Sequence, residues 1–179
     1  MDSVGVVPII PDTKDWTWVL ERACPDCGFE AGGVAATDVA QHVLDNAAAW
    51  PAVLARPGVA ARPSDDRWSD LEYACHVRDV FRLAELRIGR MLTEDGPVFA
   101  NWDQDETAVE DRYAEQDPAA VGPELREAAE RLAALLQGVD TAGWERGGTR
   151  SDGASFTVAT FARYVIHDPV HHLYDVGVT

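Results

Sequence analysis

Apolar residues recur at helical spacing along four long segments of the chain. The first segment begins at Thr37, a good N-cap residue, and the second begins at Ser69, which precedes acidic residues that favour a helix N-terminus. The third covers residues 118–138, and the last covers residues 157–176. The four stripes comprise Val39, Val43, Ala47, Trp50 and Leu54; Leu71, Ala74, Val77, Phe81, Ala84, Ile88 and Met91; Leu125, Ala128, Ala129, Leu132, Leu135 and Leu136; and Val158, Phe161, Val165 and Leu173.

The connections between these segments set the domain organisation. A short helix is expected over residues 105–115, and no convincing alternating strand pattern is present. Four amphipathic helices are buried most simply as an all-α four-helix bundle. Several Pro and Gly residues interrupt any period in residues 1–36. We therefore expect an irregular N-terminal arm at 1–36, anchored on the outside by Trp16 and Trp18, and a helical bundle at 37–179.

The charge of the chain excludes several classes of partner. The formal net charge is −16, from 31 acidic and 15 basic residues. Binding to nucleic acid or to anionic lipid needs a basic face, so neither partner is expected. No apolar stretch reaches the ~18 residues that would span a membrane. The three cysteines are an odd, low number, which predicts a reducing cytoplasmic location rather than a disulfide scaffold.

The strongest chemical signal is a group of histidines near the C-terminus. His167 and His171 are four residues apart, so a helix places them on one face, a turn apart. Two imidazoles arranged in this way bind one metal ion in the helix motif of zinc proteases. Asp168 stands where that motif has glutamate, which argues against a protease. Pro169 lies between the two histidines, and it either breaks the helix or bends it.

His76, on a second long helix, is the natural third ligand. Three histidines leave a coordination position open, which is typical of catalytic rather than structural zinc sites. We expect the side-chain nitrogens of His76 and the histidine pair to lie within about 4 Å of one another. His172 is rotated by about 100° from His171 and is expected not to share its metal. His42 is assigned to the surface or to a pocket rim.

Cys24 and Cys27 have the spacing of a zinc knuckle. Zinc ribbons need a second ligand pair, and a thioredoxin-like redox motif needs a βαβ setting that the pattern lacks. A structural loop and a redox or metal-binding role remain as alternatives. Two thiolates would close a three-histidine site to substrate, so we expect these cysteines not to bind the catalytic metal. Cys75 is interpreted as a buried, small apolar residue.

On these residues the chain resembles the DinB-like metalloprotein superfamily, and in particular its actinobacterial branch. The resemblance rests on Trp68-Ser69 at the start of the second helix, on His76 within it, and on the run from 167 to 172 in the last helix. Residues 12–17 and 24–29 are also similar to the N-terminal arm of a subgroup of that branch. The resemblance implies an up-down-down-up bundle and a divalent metal, zinc or nickel, bound by His76, His167 and His171.

The same resemblance suggests an activity. Relatives include mycothiol-dependent maleylpyruvate isomerase and thiol S-transferases, so the leading hypothesis is a metal-dependent thiol S-transferase. Its partners would be a low-molecular-weight thiol, mycothiol in an actinobacterium, and an electrophilic small molecule. Metal-assisted hydrolysis and a non-catalytic metal-binding stress protein are the alternatives. Tyr164, Tyr174 and Asp175 lie near the ligands and are candidates for orienting substrate, and a homodimer is one candidate assembly.

Overall fold

The computed structural model describes residues 16–178 of the chain. Residues 1–15 of the predicted arm, including positions 12–15 of the resemblance, lie outside this range. In chain order the helices are α1 (Val39–Leu54), α2 (Asp70–Thr93), α3 (Gln104–Glu110), α4 (Pro118–Gln137), α5 (Thr141–Trp144) and α6 (Val158–Asp175). The strands are β1 (Val98–Phe99), β2 (Gly147–Arg150) and β3 (Ser155–Thr157), and 3₁₀ turns cover Trp16–Leu20, Ala31–Gly33, Ala36–Asp38 and Tyr113–Glu115.

The four long helices form the predicted four-helix bundle. The main contacts of α1 and α2 are with α4 and α6 rather than with each other, so α1 and α2 occupy opposite corners. Every position of the apolar stripe predicted for α2 is buried, and the stripes of α1 and α4 are buried apart from the half-buried Leu135. None of the helices within residues 16–178 is long and apolar enough to cross a membrane.

The start of α2 confirms the predicted N-cap at Ser69. The Ser69 hydroxyl accepts a hydrogen bond from the Glu72 backbone N–H, and the Glu72 carboxylate accepts one from the Ser69 backbone N–H at 2.8 Å. This capping box satisfies two N–H groups that have no partner within the helix. Arg62 also donates from Nε to the Glu72 carboxylate at 2.9 Å. Glu72 is only 1% exposed, and these donors hold its pKa below the usual range although burial opposes ionisation.

Replacing Glu72 by glutamine should destabilise the bundle by about 3 kcal/mol, because the change leaves the Arg62 guanidinium without its charged partner. The free energy of unfolding from urea titration checks this value. Glu130→Gln is the matched control, since the Arg126–Glu130 pair is exposed and its N and O atoms are 4.0 Å apart. The control should change stability by no more than about 0.5 kcal/mol. Equal effects of both substitutions would contradict the prediction.

α6 begins where the sequence predicts and continues through its proline. Thr157 is the N-cap, and its hydroxyl accepts a hydrogen bond from the Thr160 backbone N–H. Pro169 lies inside the helix, and its carbonyl oxygen accepts a 2.7 Å hydrogen bond from the buried Asn46 side chain of α1. Trp50 in turn donates to the Asn46 side-chain oxygen at 3.1 Å. These contacts fix α6 against α1 beside the candidate ligands.

A small sheet was not predicted. β1 pairs in parallel with β2, and β2 pairs antiparallel with β3. The strands have two to four residues each, which is too short for an alternating pattern to be recognised in the sequence. The sheet leads directly into α6, because Thr157 ends β3 and caps the helix.

The N-terminal arm folds back onto α6 through its short 3₁₀ turns. Val19 is completely buried, so it anchors the arm together with the half-buried tryptophans. Trp16 and Trp18 pack with their ring centroids 5.6 and 6.3 Å from that of His167, as the predicted anchoring requires. Gly32 permits the tight fold of the arm, because a Cβ atom there would lie 2.1 Å from the Leu20 carbonyl oxygen.

Candidate metal centres

α6 presents two neighbouring sets of metal-binding side chains. Residues 167 and 171 lie on one face, and residues 168 and 172 lie on the face rotated by about 100° from it. Within residues 16–178, potential ligands converge into two groups, in each of which the ligand atoms lie within 4.8 Å of one another. We call the first group the pocket cluster: His76, Asp168 and His172. We call the second the arm cluster: Cys24, Cys27, His167 and His171.

In the pocket cluster, Asp168 lies between two imidazoles. Its Oδ2 is 3.0 Å from Nε2 of His76, and its Oδ1 is 3.1 Å from Nε2 of His172. The His172 contact lacks hydrogen-bond geometry, and this buried nitrogen has no hydrogen-bond partner among the described residues. Ligands about 2.0–2.2 Å from a common metal ion lie about 3.3–3.6 Å apart in a tetrahedron and about 2.8–3.1 Å apart at right angles, as in an octahedron. The His76–Asp168 contact is a hydrogen bond, whereas the close approach of His172 Nε2 to Asp168 without hydrogen-bond geometry fits a set of ligands directed at one cation.

Asp175 fixes the orientation of the His172 ring. Its Oδ2 lies 2.8 Å from Nδ1 of His172, so the imidazole donates its Nδ1 proton to this carboxylate. With a metal bound, the proton on Nδ1 would leave the Nε2 lone pair of the neutral ring free to coordinate the ion beside Asp168. Metal-binding histidines usually have such a carboxylate behind them, because it sets the tautomer and raises the basicity of the ligand.

His76 is held rigidly inside the protein. It has no exposed surface, and its ring is stacked on that of Trp102 with an interplanar angle of 4°. Trp68, which precedes the α2 N-cap, contacts the same ring at a centroid distance of 5.1 Å. Nδ1 of His76 is buried without a hydrogen-bond partner among residues 16–178. A buried imidazole confined in this way is a well-positioned ligand, because it loses little conformational freedom when it binds a metal.

The metal-free pocket cluster forms an ion pair. Burial disfavours the charged form of His172, but Asp168 and Asp175 outweigh it and raise its pKa to about 9. Burial likewise opposes ionisation of Asp168, yet His172 and His76 lower its pKa well below the usual range. Asp168 keeps 39% of its side chain exposed, so this carboxylate also faces the pocket. The site thus has a fixed carboxylate between two imidazoles, which suits a divalent cation.

Asp175→Asn should weaken metal binding at the pocket cluster by about 10- to 100-fold, because the amide would no longer fix the basic tautomer of His172. The dissociation constant from competition with a chromophoric chelator measures the effect. Asp152→Asn is a matched control, since this carboxylate pairs with Arg150 and lies outside the cluster. An unchanged affinity in Asp175→Asn would show that His172 does not depend on this carboxylate.

A pocket of about 320 Å³ opens beside the cluster. Asp168 and His172 of the cluster line it together with Asp175, and Trp16 of the arm and Trp102 also line it. The remaining lining residues come mainly from α2, the segment before α3, and α6: Val80, Leu83, Ala84, Arg87, Asn101, Gln104, Arg150, Phe161, Tyr164, Val165, His167 and His171. This volume is suited to a small organic molecule.

The arm cluster joins the N-terminal arm to the other face of α6. Sγ of Cys24 is 3.6 Å from Nδ1 of His171, and Sγ of Cys27 is 3.8 Å from Nε2 of His167. All three cysteines of the chain, including the buried Cys75, are free thiols. Burial and the neighbouring Cys24 raise the pKa of Cys27 to about 11. Burial lowers the pKa of His167 to about 4, so its imidazole is neutral at physiological pH.

The structure therefore divides the three predicted ligands between two places. It brings His167 and His171 together as expected, but it groups them with the two cysteines, whereas His76 lies with Asp168 and His172. The grouping of His76 with the histidine pair, which the sequence predicted, is therefore not the one that the structure shows. The physical reason is the rotation of α6, which turns residues 168 and 172, rather than 167 and 171, toward His76. The expectation that Cys24 and Cys27 do not bind the catalytic metal stays a prediction.

Sequence reasoning missed Asp168 and His172 as partners of His76. A usable signal was present, because Phe161, Val165, Asp168 and His172 follow one another at helical spacing on the pocket side of α6. The four-residue spacing is the same for the pair 167 and 171 and for the pair 168 and 172. The two pairs differ only in how close they lie, around the helix, to the buried apolar face of α6.

The other candidate residues are placed as follows. Tyr164 lines the pocket and accepts a 2.8 Å hydrogen bond from Arg150, and Asp175 lines it as well. Tyr174 is 47% exposed and contacts the His171 ring rather than the pocket. His42 on α1 packs edge-on against Phe29 of the arm and belongs to neither cluster.

Comparisons with known proteins identify the superfamily and the fold to which this chain belongs. The sequence profile of the DinB superfamily matches residues 54–176, so the chain belongs to that superfamily. A solved structure of YfiT from Bacillus subtilis, described as a probable metal-dependent hydrolase with an unusual four-helix bundle topology, superimposes with a TM-score of 0.66. The match has 20% sequence identity and covers 79% of this chain and 83% of YfiT. No curated protein sequence matches the chain significantly.

Proposed function

We propose that the protein is a metal-dependent transferase that activates a low-molecular-weight thiol for attack on an electrophilic small molecule. The observation that carries this proposal is the pocket cluster, in which three protein donors converge beside a 320 Å³ pocket. Three donors leave coordination positions open for a substrate, as in catalytic rather than structural metal sites.

A divalent metal held by the pocket cluster would supply a Lewis acid that lowers the pKa of a bound thiol. The residues of the chain supply position and charge. Asp175 keeps His172 in the ligating tautomer, and the stacked Trp102 keeps His76 in place. In the reaction the thiol loses its proton to solvent, a sulfur–carbon bond forms, and the displaced group leaves with the electrons of the broken bond.

A buried arginine side chain in the pocket lining suggests the charge of the electrophile. Arg87 is 8% exposed, and it donates to the Ala100 carbonyl oxygen at 2.8 Å. Burial and the nearby Arg150 lower its pKa although Asp152 opposes them, and the Asp152 carboxylate is paired with Arg150 rather than with Arg87. Burying a guanidinium without a counter-ion is costly, so an anionic ligand would compensate it. We therefore propose that the electrophile carries a carboxylate or another anionic group.

Metal-assisted hydrolysis is the second candidate. YfiT, which shares the fold, is described as a probable metal-dependent hydrolase. The same three donors would hold a water molecule in place of the thiol, and the anionic group of the substrate would still face Arg87.

The test is turnover of a panel of anionic electrophiles by metal-loaded protein, with and without mycothiol and with a simple thiol for comparison. Turnover that needs metal and saturates with thiol supports the transferase. Turnover that is independent of thiol overturns it in favour of the hydrolase, and no turnover at full metal occupancy favours a non-catalytic metal-binding protein. His172→Ala should abolish activity, and His42→Ala, which changes a histidine that belongs to neither cluster, should not.

A further inference from the structure

The geometry points to a second metal site: we propose that the arm cluster binds one zinc ion in a closed tetrahedral site that fastens the N-terminal arm to α6. This site differs from the pocket cluster in its ligands, in its position on α6 and in its role. The proposal rests on distances, donor chemistry and backbone structure, each of which is independent of the enzymatic activity proposed above.

The distances fit a tetrahedral ion. Zinc–sulfur bonds of about 2.3 Å and zinc–nitrogen bonds of about 2.0–2.1 Å place ligated sulfur and nitrogen atoms about 3.5–3.6 Å apart in a tetrahedron. The observed Cys24–His171 and Cys27–His167 distances are 3.6 and 3.8 Å. All four ligand atoms lie within 4.8 Å of one another, so one small cation can contact them simultaneously.

The donor set selects zinc and excludes an open catalytic site. Two sulfurs and two imidazole nitrogens form the Cys₂His₂ set that is typical of structural zinc. Hard cations such as Mg²⁺ and Ca²⁺ prefer oxygen ligands, which this cluster lacks. Four protein ligands complete a tetrahedron, so no position remains for substrate. The bound ion would therefore stabilise structure rather than carry out chemistry.

The backbone between the cysteines already has the shape that such a site needs. The Gly28 N–H donates to the Cys24 carbonyl oxygen, and the Cys24 N–H donates to the Phe29 carbonyl oxygen, both at 2.9 Å. Gly28 has a φ of 72°, which a residue with a side chain rarely adopts. This turn directs both sulfurs toward α6, where they contact His171 and His167.

The site connects distant parts of the chain. The two cysteine–histidine contacts join residues 147 and 140 positions apart in the sequence. The arm that they hold contributes Trp16 to the pocket wall, and the Trp16 ring lies 5.6 and 5.9 Å from the rings of His167 and His171. Zinc at the arm cluster would thus hold one wall of the substrate pocket in place.

Cobalt substitution tests the proposal without any enzyme assay. Metal-free protein, kept reduced, is titrated with Co²⁺ while metal equivalents and the near-ultraviolet thiolate-to-cobalt charge-transfer band are recorded. We expect wild-type protein to show the band, and Cys24→Ser/Cys27→Ser to lose the band together with one metal equivalent. His76→Ala/His172→Ala should keep the band. Cys75→Ser is the matched control, because it removes a buried thiol outside both clusters.

X-ray absorption of zinc-loaded protein provides a second readout. A sulfur shell at about 2.3 Å is expected in wild type and in the pocket-cluster variant, and its absence is expected in the double cysteine variant. Circular dichroism confirms that each variant remains helical. Reduced wild-type protein that binds metal without a thiolate band and without a sulfur shell would overturn the proposal, as would a band that persists after both cysteines are replaced.

Discussion

His172→Ala will remove the pocket metal, whereas His171→Ala will leave it in place. The pocket cluster uses Asp168 and His172, so loss of the His172 imidazole leaves only two of its three donors. Removing a ligand should lower the metal affinity by more than the roughly 10- to 100-fold that follows from changing a residue hydrogen-bonded to a ligand. If the metal were bound by His76, His167 and His171, as predicted from the sequence, His171→Ala would remove it and His172→Ala would not.

The comparison is cleanest in a Cys24→Ser/Cys27→Ser background, in which the arm cluster cannot contribute a thiolate-bound ion. Metal per chain and helical circular dichroism are measured after dialysis against low free zinc. We expect one equivalent in the background protein, one equivalent after His171→Ala, and nearly none after His172→Ala. The bundle should remain folded throughout, because its core consists of four apolar stripes. Retention of metal by His172→Ala with loss by His171→Ala would restore the three-histidine site.

The bundle could be predicted from the sequence because helix caps and apolar spacing depend on residues close together in the chain. The capping residues Ser69 and Thr157 stand at the N-termini of α2 and α6, as predicted. The start of α1 differs by one residue, since Asp38 rather than Thr37 is its N-cap after a 3₁₀ turn. Apolar residues at helical spacing continue through Pro51 and Pro169, so neither proline ended its helix.

The site was harder to predict because it depends on the rotation of one helix and on long-range contacts. Spacing identified α6 as the metal-binding helix, but two pairs of residues on it share the same four-residue step. The turn containing Cys24 and Cys27 was recognised as a zinc-knuckle spacing without a second ligand pair. That pair was present 140 or more residues later, and only the folding of the arm onto α6 brings the two halves together.

Cys24→Ser/Cys27→Ser should lower the melting temperature of the zinc-loaded protein by roughly 8–16 °C. A ligand at a free concentration 1,000 times its dissociation constant stabilises the folded state by about 4.1 kcal/mol. For a chain of this size, 1 kcal/mol corresponds to about 2–4 °C. Without zinc, the arm is held mainly by Val19 and by the contacts of its tryptophans, so it should detach before the bundle unfolds.

Differential scanning calorimetry measures the shift in melting temperature. Limited trypsin digestion followed by mass spectrometry identifies the segment of the chain that becomes accessible. Cleavage after Arg22, an exposed residue of the arm, should be slow in zinc-loaded wild type and fast in the double cysteine variant. Chelator-treated wild type should match that variant in its cleavage rate, because each lacks the arm-cluster ion, but it should melt at a lower temperature because it also lacks the pocket metal. Cys75→Ser should behave as wild type. The pocket metal remains a separate contribution, which His172→Ala removes without exposing Arg22. Equal melting temperatures and equal cleavage rates for zinc-loaded wild type and the double cysteine variant would show that no ion ties the arm to α6.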